Sequence, residues 1–93
     1  MTTYQAKQGF VKRTIAGETL LVPVGATTRE FNGMIMLNET GSYLWDLLAE
    51  ARSREQLIEE MQKEFDAAAE EIGADVDEFL ANGMKEKLIL ENC

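Results

Sequence analysis

Few side chains in these 93 residues could do chemistry. There is no histidine, so the usual general base near neutral pH and the commonest neutral metal ligand are both missing. Cys93 is the single cysteine, and one thiol neither forms a disulfide within the chain nor builds a zinc site. Carboxylates are plentiful, 17 in all, and paired carboxylates can serve as general acid and base. Here they recur at helical spacing, as in Glu55, Glu59, Glu60 and Glu64, which is the arrangement of a solvated helix face. The expectation is a protein that is not an enzyme, with no catalytic group, no metal and no cofactor. Its function must lie in a surface.

Charge narrows what that surface can bind. Nine basic and 17 acidic residues give a net charge of −8. Residues 1–36 hold four basic and two acidic side chains, whereas residues 37–93 hold five basic against 15 acidic. A field of that sign repels a phosphate backbone and suits a basic peptide or the basic patch of a partner protein. No apolar run approaches the ~20 residues of a membrane span. Met1–Lys7 lacks the apolar core of a secretory signal, so a cytoplasmic chain is expected.

The elements that would carry such a surface follow from patterning. The length suits a single domain over residues 1–93, with an ordered core at about 10–90. Phe10–Ile15 and Thr19–Val24 are strand-like runs joined by Ala16-Gly17-Glu18, whose glycine suits a tight hairpin. Pro23 lacks an amide hydrogen and belongs near a strand end or on an edge. Gly25–Arg29 reads as loop. The turn pair Asn32-Gly33 then leads into a third short strand, Met34–Leu37.

From Leu37 onward the pattern changes from strand to helix. Asn38 is placed to cap a first helix whose stripe is Gly41, Leu44, Trp45 and Leu48. Ser53 and Gln56 form a capping box before a second helix with Leu57, Ile58, Met61 and Phe65 on its apolar face. A third helix starts somewhere in Asp66–Glu71 and runs to about Glu86, with Ile72, Val76, Phe79, Leu80 and Met84 as its stripe. Leu88–Leu90 reads as a short extended tail. The fold class expected is α+β: a winged helix-turn-helix-like domain with a three-stranded antiparallel sheet followed by three helices.

The segments Ala16-Gly17-Glu18, Leu21-Val22-Pro23-Val24, Leu37-Asn38-Glu39-Thr40-Gly41, Leu44-Trp45 and Asp75-Val76-x-x-Phe79-Leu80 occur in an order that resembles the family of pyrroloquinoline quinone biosynthesis protein D, the PqqD-like proteins. The resemblance covers residues from about 10 to 90, nearly the whole domain. It implies a peptide-recognition element of ribosomally made, post-translationally modified peptide pathways. Members of the family bind the leader segment of a precursor peptide and present the core segment to a modifying enzyme, often a radical S-adenosylmethionine protein. The leader typically adds as an antiparallel strand to the third strand, beside the third helix. Carried onto this chain, the resemblance implies a peptide-binding set of Gly33, Met34, Ile35 and Met36 on the strand side. On the helix side it implies Asp75, Val76, Phe79, Asn82 and Gly83. Three departures stand out: Gly83 where the family usually has Leu, Lys87 where a Gly commonly ends the third helix, and Val24 after Pro23 where the quinone-pathway members carry Pro-Glu. They imply a PqqD-like protein of a different peptide pathway.

The residues themselves suit that mode of binding. A short edge strand offers unpaired amide and carbonyl groups that an added peptide satisfies whatever its sequence. Alternation sends Met34 and Met36 to one sheet face and Ile35 to the other, and the unbranched methionines adapt to varied apolar partners. Trp45, with Leu44 and Leu48, reads as core, and Phe79 and Leu80 as core first. Two other readings compete. A winged-helix regulator would need a basic third helix facing DNA, and this one carries Glu70, Glu71, Asp75, Asp77 and Glu78. A structural subunit docking on an enzyme needs no peptide site at all. The chain is expected to be a monomer or a homodimer.

Overall fold

The computed structural model describes residues 2–30 and 33–92. In chain order the elements are β1 (Thr3–Ala6), β2 (Phe10–Ile15), β3 (Glu18–Pro23), α1 (Thr27–Glu30), β4 (Ile35–Leu37), α2 (Glu39–Leu47), α3 (Arg54–Glu64), α4 (Ala69–Lys85) and β5 (Ile89–Asn92). They divide into two compact units, Gln8–Ser42 and Met1–Lys7 with Tyr43–Cys93. Asn32 and Cys93, both singled out in the sequence, lie outside the described residues.

The unit Gln8–Ser42 is built on an antiparallel sheet of order β2-β3-β4. β2 and β3 form a hairpin whose last pair is Ile15 with Glu18, so the connection is two residues, Ala16 and Gly17. Both adopt positive φ, +53° and +82°, as the mirror-image turn that matches strand twist requires. Glu18 therefore belongs to the strand and not to the turn. β4 pairs with β3 through Thr19 with Leu37, Leu20 with Met36, and Leu21 with Ile35. β4 starts at Ile35, one residue later than patterning gave, so Met34 lies just outside it. The loop expected at Gly25–Arg29 instead winds into the single turn α1, with the Thr28 hydroxyl donating to the Gly25 carbonyl at 2.7 Å.

The second unit gathers α3, α4 and most of α2 with a separate two-stranded sheet, β1 against β5. Its core is Leu44, Leu48, Leu57, Met61, Ile72, Val76, Leu80, Leu88 and Ile89, with Trp45 nearly buried. Each buried aliphatic side chain of this kind stabilises by about 2 kcal/mol relative to exposure, before ordering entropy is offset. All three helical stripes expected from spacing supply that core. The extended tail is a strand: Ile89 pairs with Ala6, and Asn92 with Thr3. β1 also ties in the region between the helices, since the Tyr4 and Arg52 backbones exchange hydrogen bonds at 2.8 and 2.9 Å, and Ala6 donates to Leu48.

Helix ends are set largely by the residues expected to set them. Asn38 Oδ1 accepts from the Gly41 amide at 2.7 Å, capping α2. Ser53 Oγ accepts from the Gln56 amide, and Gln56 Oε1 accepts from the Ser53 amide, completing the capping box of α3. The C-terminus of α4 closes in a Schellman motif: Leu88 donates to the Gly83 carbonyl at 2.7 Å, and Lys87 to Met84 at 3.1 Å. Lys87 sits at the left-handed position of that motif with φ +62°.

Candidate peptide-binding surface

Among the described residues β4 is an edge strand of its sheet, paired with β3 on one side only. Neither Pro nor a charged side chain guards it: the run Met34-Ile35-Met36-Leu37 is wholly apolar. Gly33 precedes it with φ +113°, a left-handed conformation in which a Cβ would be strained. The side chains of β4 alternate in environment. Ile35, level with Leu21 and Lys12, is half-buried, and Leu21 beside it is only 1% exposed. Met36, level with Leu20 and Arg13, is 63% exposed, and Met34 is similarly open. An extended chain laid along this edge would find backbone groups to pair with and exposed thioethers to pack on.

On α4 the five expected residues separate by burial. Asp75 and Asn82 are exposed and Phe79 is half-buried, and their spacings of four and three put them on one line of the helix. Val76 and Gly83, seven residues apart, lie on the buried side. A Cβ on Gly83 would run into Ile89, meeting its Cγ1 at 2.7 Å and its Cδ1 closer still. Ile89 is buried, so this glycine is what lets β5 close onto α4. Ile89 occupies the room that a leucine at position 83 would claim. The two halves of the expected peptide-binding set thus lie in different compact units, Gly33–Met36 in one and the α4 residues in the other.

The charged residues around α4 serve packing and field. Arg54 on α3 grips Asp77 on α4 in a two-pronged pair, Nε to Oδ1 at 2.6 Å and Nη2 to Oδ2 at 3.0 Å. The guanidinium holds the Asp77 carboxyl below its ordinary range by hydrogen bonding, with its positive charge as a lesser cause. Glu70, Glu71, Asp75 and Glu78 are also exposed on α4, which makes this a surface that repels phosphates. Among the described residues no group of three or more His, Cys, Asp or Glu is placed to hold a metal ion.

The edge strand is legible in the sequence, but the sheet face it belongs to is not. The strand register puts Val11, Arg13 and Ile15 of β2, Leu20 and Val22 of β3, and Met36 of β4 on one face. Val11, Ile15 and Met36 are among the most exposed large apolar residues described. The signal was present as alternation along β2 and β3, but only the pairing register says which parities align.

A model of the family of coenzyme PQQ synthesis protein D (PqqD) matches residues 18–89 of the chain. Among solved structures, the chain is similar to TbiB1 in complex with the TbiA(beta) leader peptide, at 21% identity and a TM-score of 0.70, over 91% of this chain and 93% of that one. It is also similar to the PqqD truncation of Methylobacterium extorquens PqqCD, a stand-alone recognition element for ribosomally synthesised and post-translationally modified peptides determined by solution NMR. There the identity is 14% and the TM-score 0.70, over 95% of this chain and 88% of that one. No curated protein matches the chain.

Proposed function

The chain belongs to the family of coenzyme PQQ synthesis protein D, and on that premise we propose that it is a non-enzymatic adaptor that recognises the leader segment of a ribosomally made precursor peptide. The observation that carries this reading is the uncharged, one-sided edge strand β4, next to which a leader would add as a further antiparallel strand. The likeness of the fold to TbiB1, solved in complex with a leader peptide, and to a stand-alone recognition element supports it. Ile35 and its neighbours Gly33, Met34 and Met36 supply the strand-side contacts. The sequence resemblance gives Asp75, Val76, Phe79, Asn82 and Gly83 a part in the same recognition; the burial of Val76 and Gly83 makes theirs a supporting part. The adaptor hands the precursor to a peptide-modifying enzyme, a radical S-adenosylmethionine protein being the partner the resemblance favours.

Titrating isotope-labelled protein with the leader of the precursor encoded beside it tests this. Amide resonances of Gly33–Leu37 should shift and saturate, and those of Asp75, Phe79 and Asn82 should follow the same isotherm. No shift in Gly33–Leu37 at near-millimolar peptide would end the strand-addition reading.

A further inference from the structure

If β4 receives the leader, the side chains already standing at that edge constrain what the leader must bring. The row Arg13–Leu20–Met36 crosses the sheet on one face, and exposure rises from half-buried Leu20 to Met36, 63% exposed at the open edge. Met34, two residues earlier, is 62% exposed. Side chains directly opposite on paired strands approach with Cβ atoms about 4.5–5.5 Å apart. A residue of an added strand level with Met36 therefore lies against its thioether, on the same outward face. On the opposite parity the environment differs: Ile35 is already half-covered and level with fully buried Leu21.

We propose that the leader is selected by an outward-facing pair of apolar residues, two positions apart, that cover Met34 and Met36 and extend the Leu20–Met36 row beyond the open edge. This rests on the reading of β4 as the leader-binding edge and names the side-chain class that the edge recognises. The occupant is an extended peptide and not a second copy of the chain. A strand of three residues is far short of the roughly 800 Å² per partner that a stable protein interface buries, whereas a peptide needs only the edge and its adjoining row. Methionine suits the task because its flexible, polarisable side chain packs on aliphatic and aromatic partners alike. The selection is thus for apolar character at a fixed parity and not for one residue type.

Oxidation footprinting reads this directly, with the synthetic leader of the precursor encoded beside the chain as the probe. Dilute hydrogen peroxide should convert Met34 and Met36 to sulfoxides readily in the free protein, with fully buried Met61 as the internal standard. Saturating leader should slow oxidation of Met34 and Met36 at least fivefold and leave Met61 unchanged. Met34→Ser with Met36→Ser should weaken leader binding at least tenfold, while Met36→Leu should retain it. A serine scan of the leader should find two sensitive positions spaced by two. Amide shifts in Ile35–Leu37 with Met34 and Met36 oxidised at the unbound rate would overturn the proposal and leave strand addition standing. Saturable binding with no amide shift in β4 would bring down strand addition itself, and this proposal with it.

Discussion

Two residues that the sequence resemblance marks as departures have opposite consequences. Lys87 takes the left-handed position at the end of α4, φ +62°, where a side chain with a Cβ is strained by roughly 1 kcal/mol. Lys87→Gly should therefore raise the unfolding free energy by about 1 kcal/mol in urea titrations, without altering the slope. Gly83 is the reverse case. Its missing side chain admits Ile89, so Gly83→Leu should lower stability by about 2 kcal/mol or more through overpacking. Pairing it with Ile89→Ala should recover part of that loss, because the clash and the cavity then share the same space. Neither effect is visible in a one-dimensional reading: position 83 depends on a strand six residues on, and position 87 on a dihedral that sequence only suggests through a family's glycine.

At the scale of elements, what was local in the chain was legible and what was paired at a distance was not. Asn38, Ser53 and Gln56 act within a few residues of themselves, and the stripes of α2, α3 and α4 recur every three or four positions, so spacing alone located them. β1 carried no comparable signal, because its partner β5 lies at the other end of the chain. The expectation of one three-stranded sheet held for β2, β3 and β4, and the additional β1–β5 sheet arises from that long-range pairing. The edge strand of the candidate site was legible to within a residue; the exposed face it shares with β2 and β3 was not, since register is a property of pairs. The pairing of α3 with α4 through Arg54 and Asp77 gives a pH prediction. Because Asp77 is held below its ordinary value when folded, its contribution is present above the unfolded pKa of about 4 and is lost as pH falls through the lowered folded value. Asp77→Asn should then be less stable than the parent at pH 7, and the gap should close as chemical denaturation is repeated toward pH 2.

Across the whole molecule, charge is divided as sharply as structure. The unit Gln8–Ser42 holds three basic and three acidic residues, whereas the unit of Met1–Lys7 and Tyr43–Cys93 holds six basic and 14 acidic. The β4 edge thus belongs to the neutral unit, while the net charge of −8 resides in the helical one. Such a field steers cationic chains without contributing to the contacts that hold them. Lysines added beside the binding segment of the leader should speed association at low ionic strength. The gain should fade between about 10 mM and 150 mM salt, as the screening length shrinks from roughly 30 Å to 8 Å. Faster association on adding glutamates instead would contradict that view. No helix of the described residues is long and apolar enough to cross a membrane.

Intermolecular nuclear Overhauser contacts between labelled protein and unlabelled leader test the central claim most directly. Strand addition predicts backbone contacts from Ile35, Met36 and Leu37 to successive leader residues in antiparallel register, together with slowed exchange of the newly paired amides. A bound leader whose backbone contacts fall elsewhere, with the amides of β4 exchanging as in the free protein, would contradict the account.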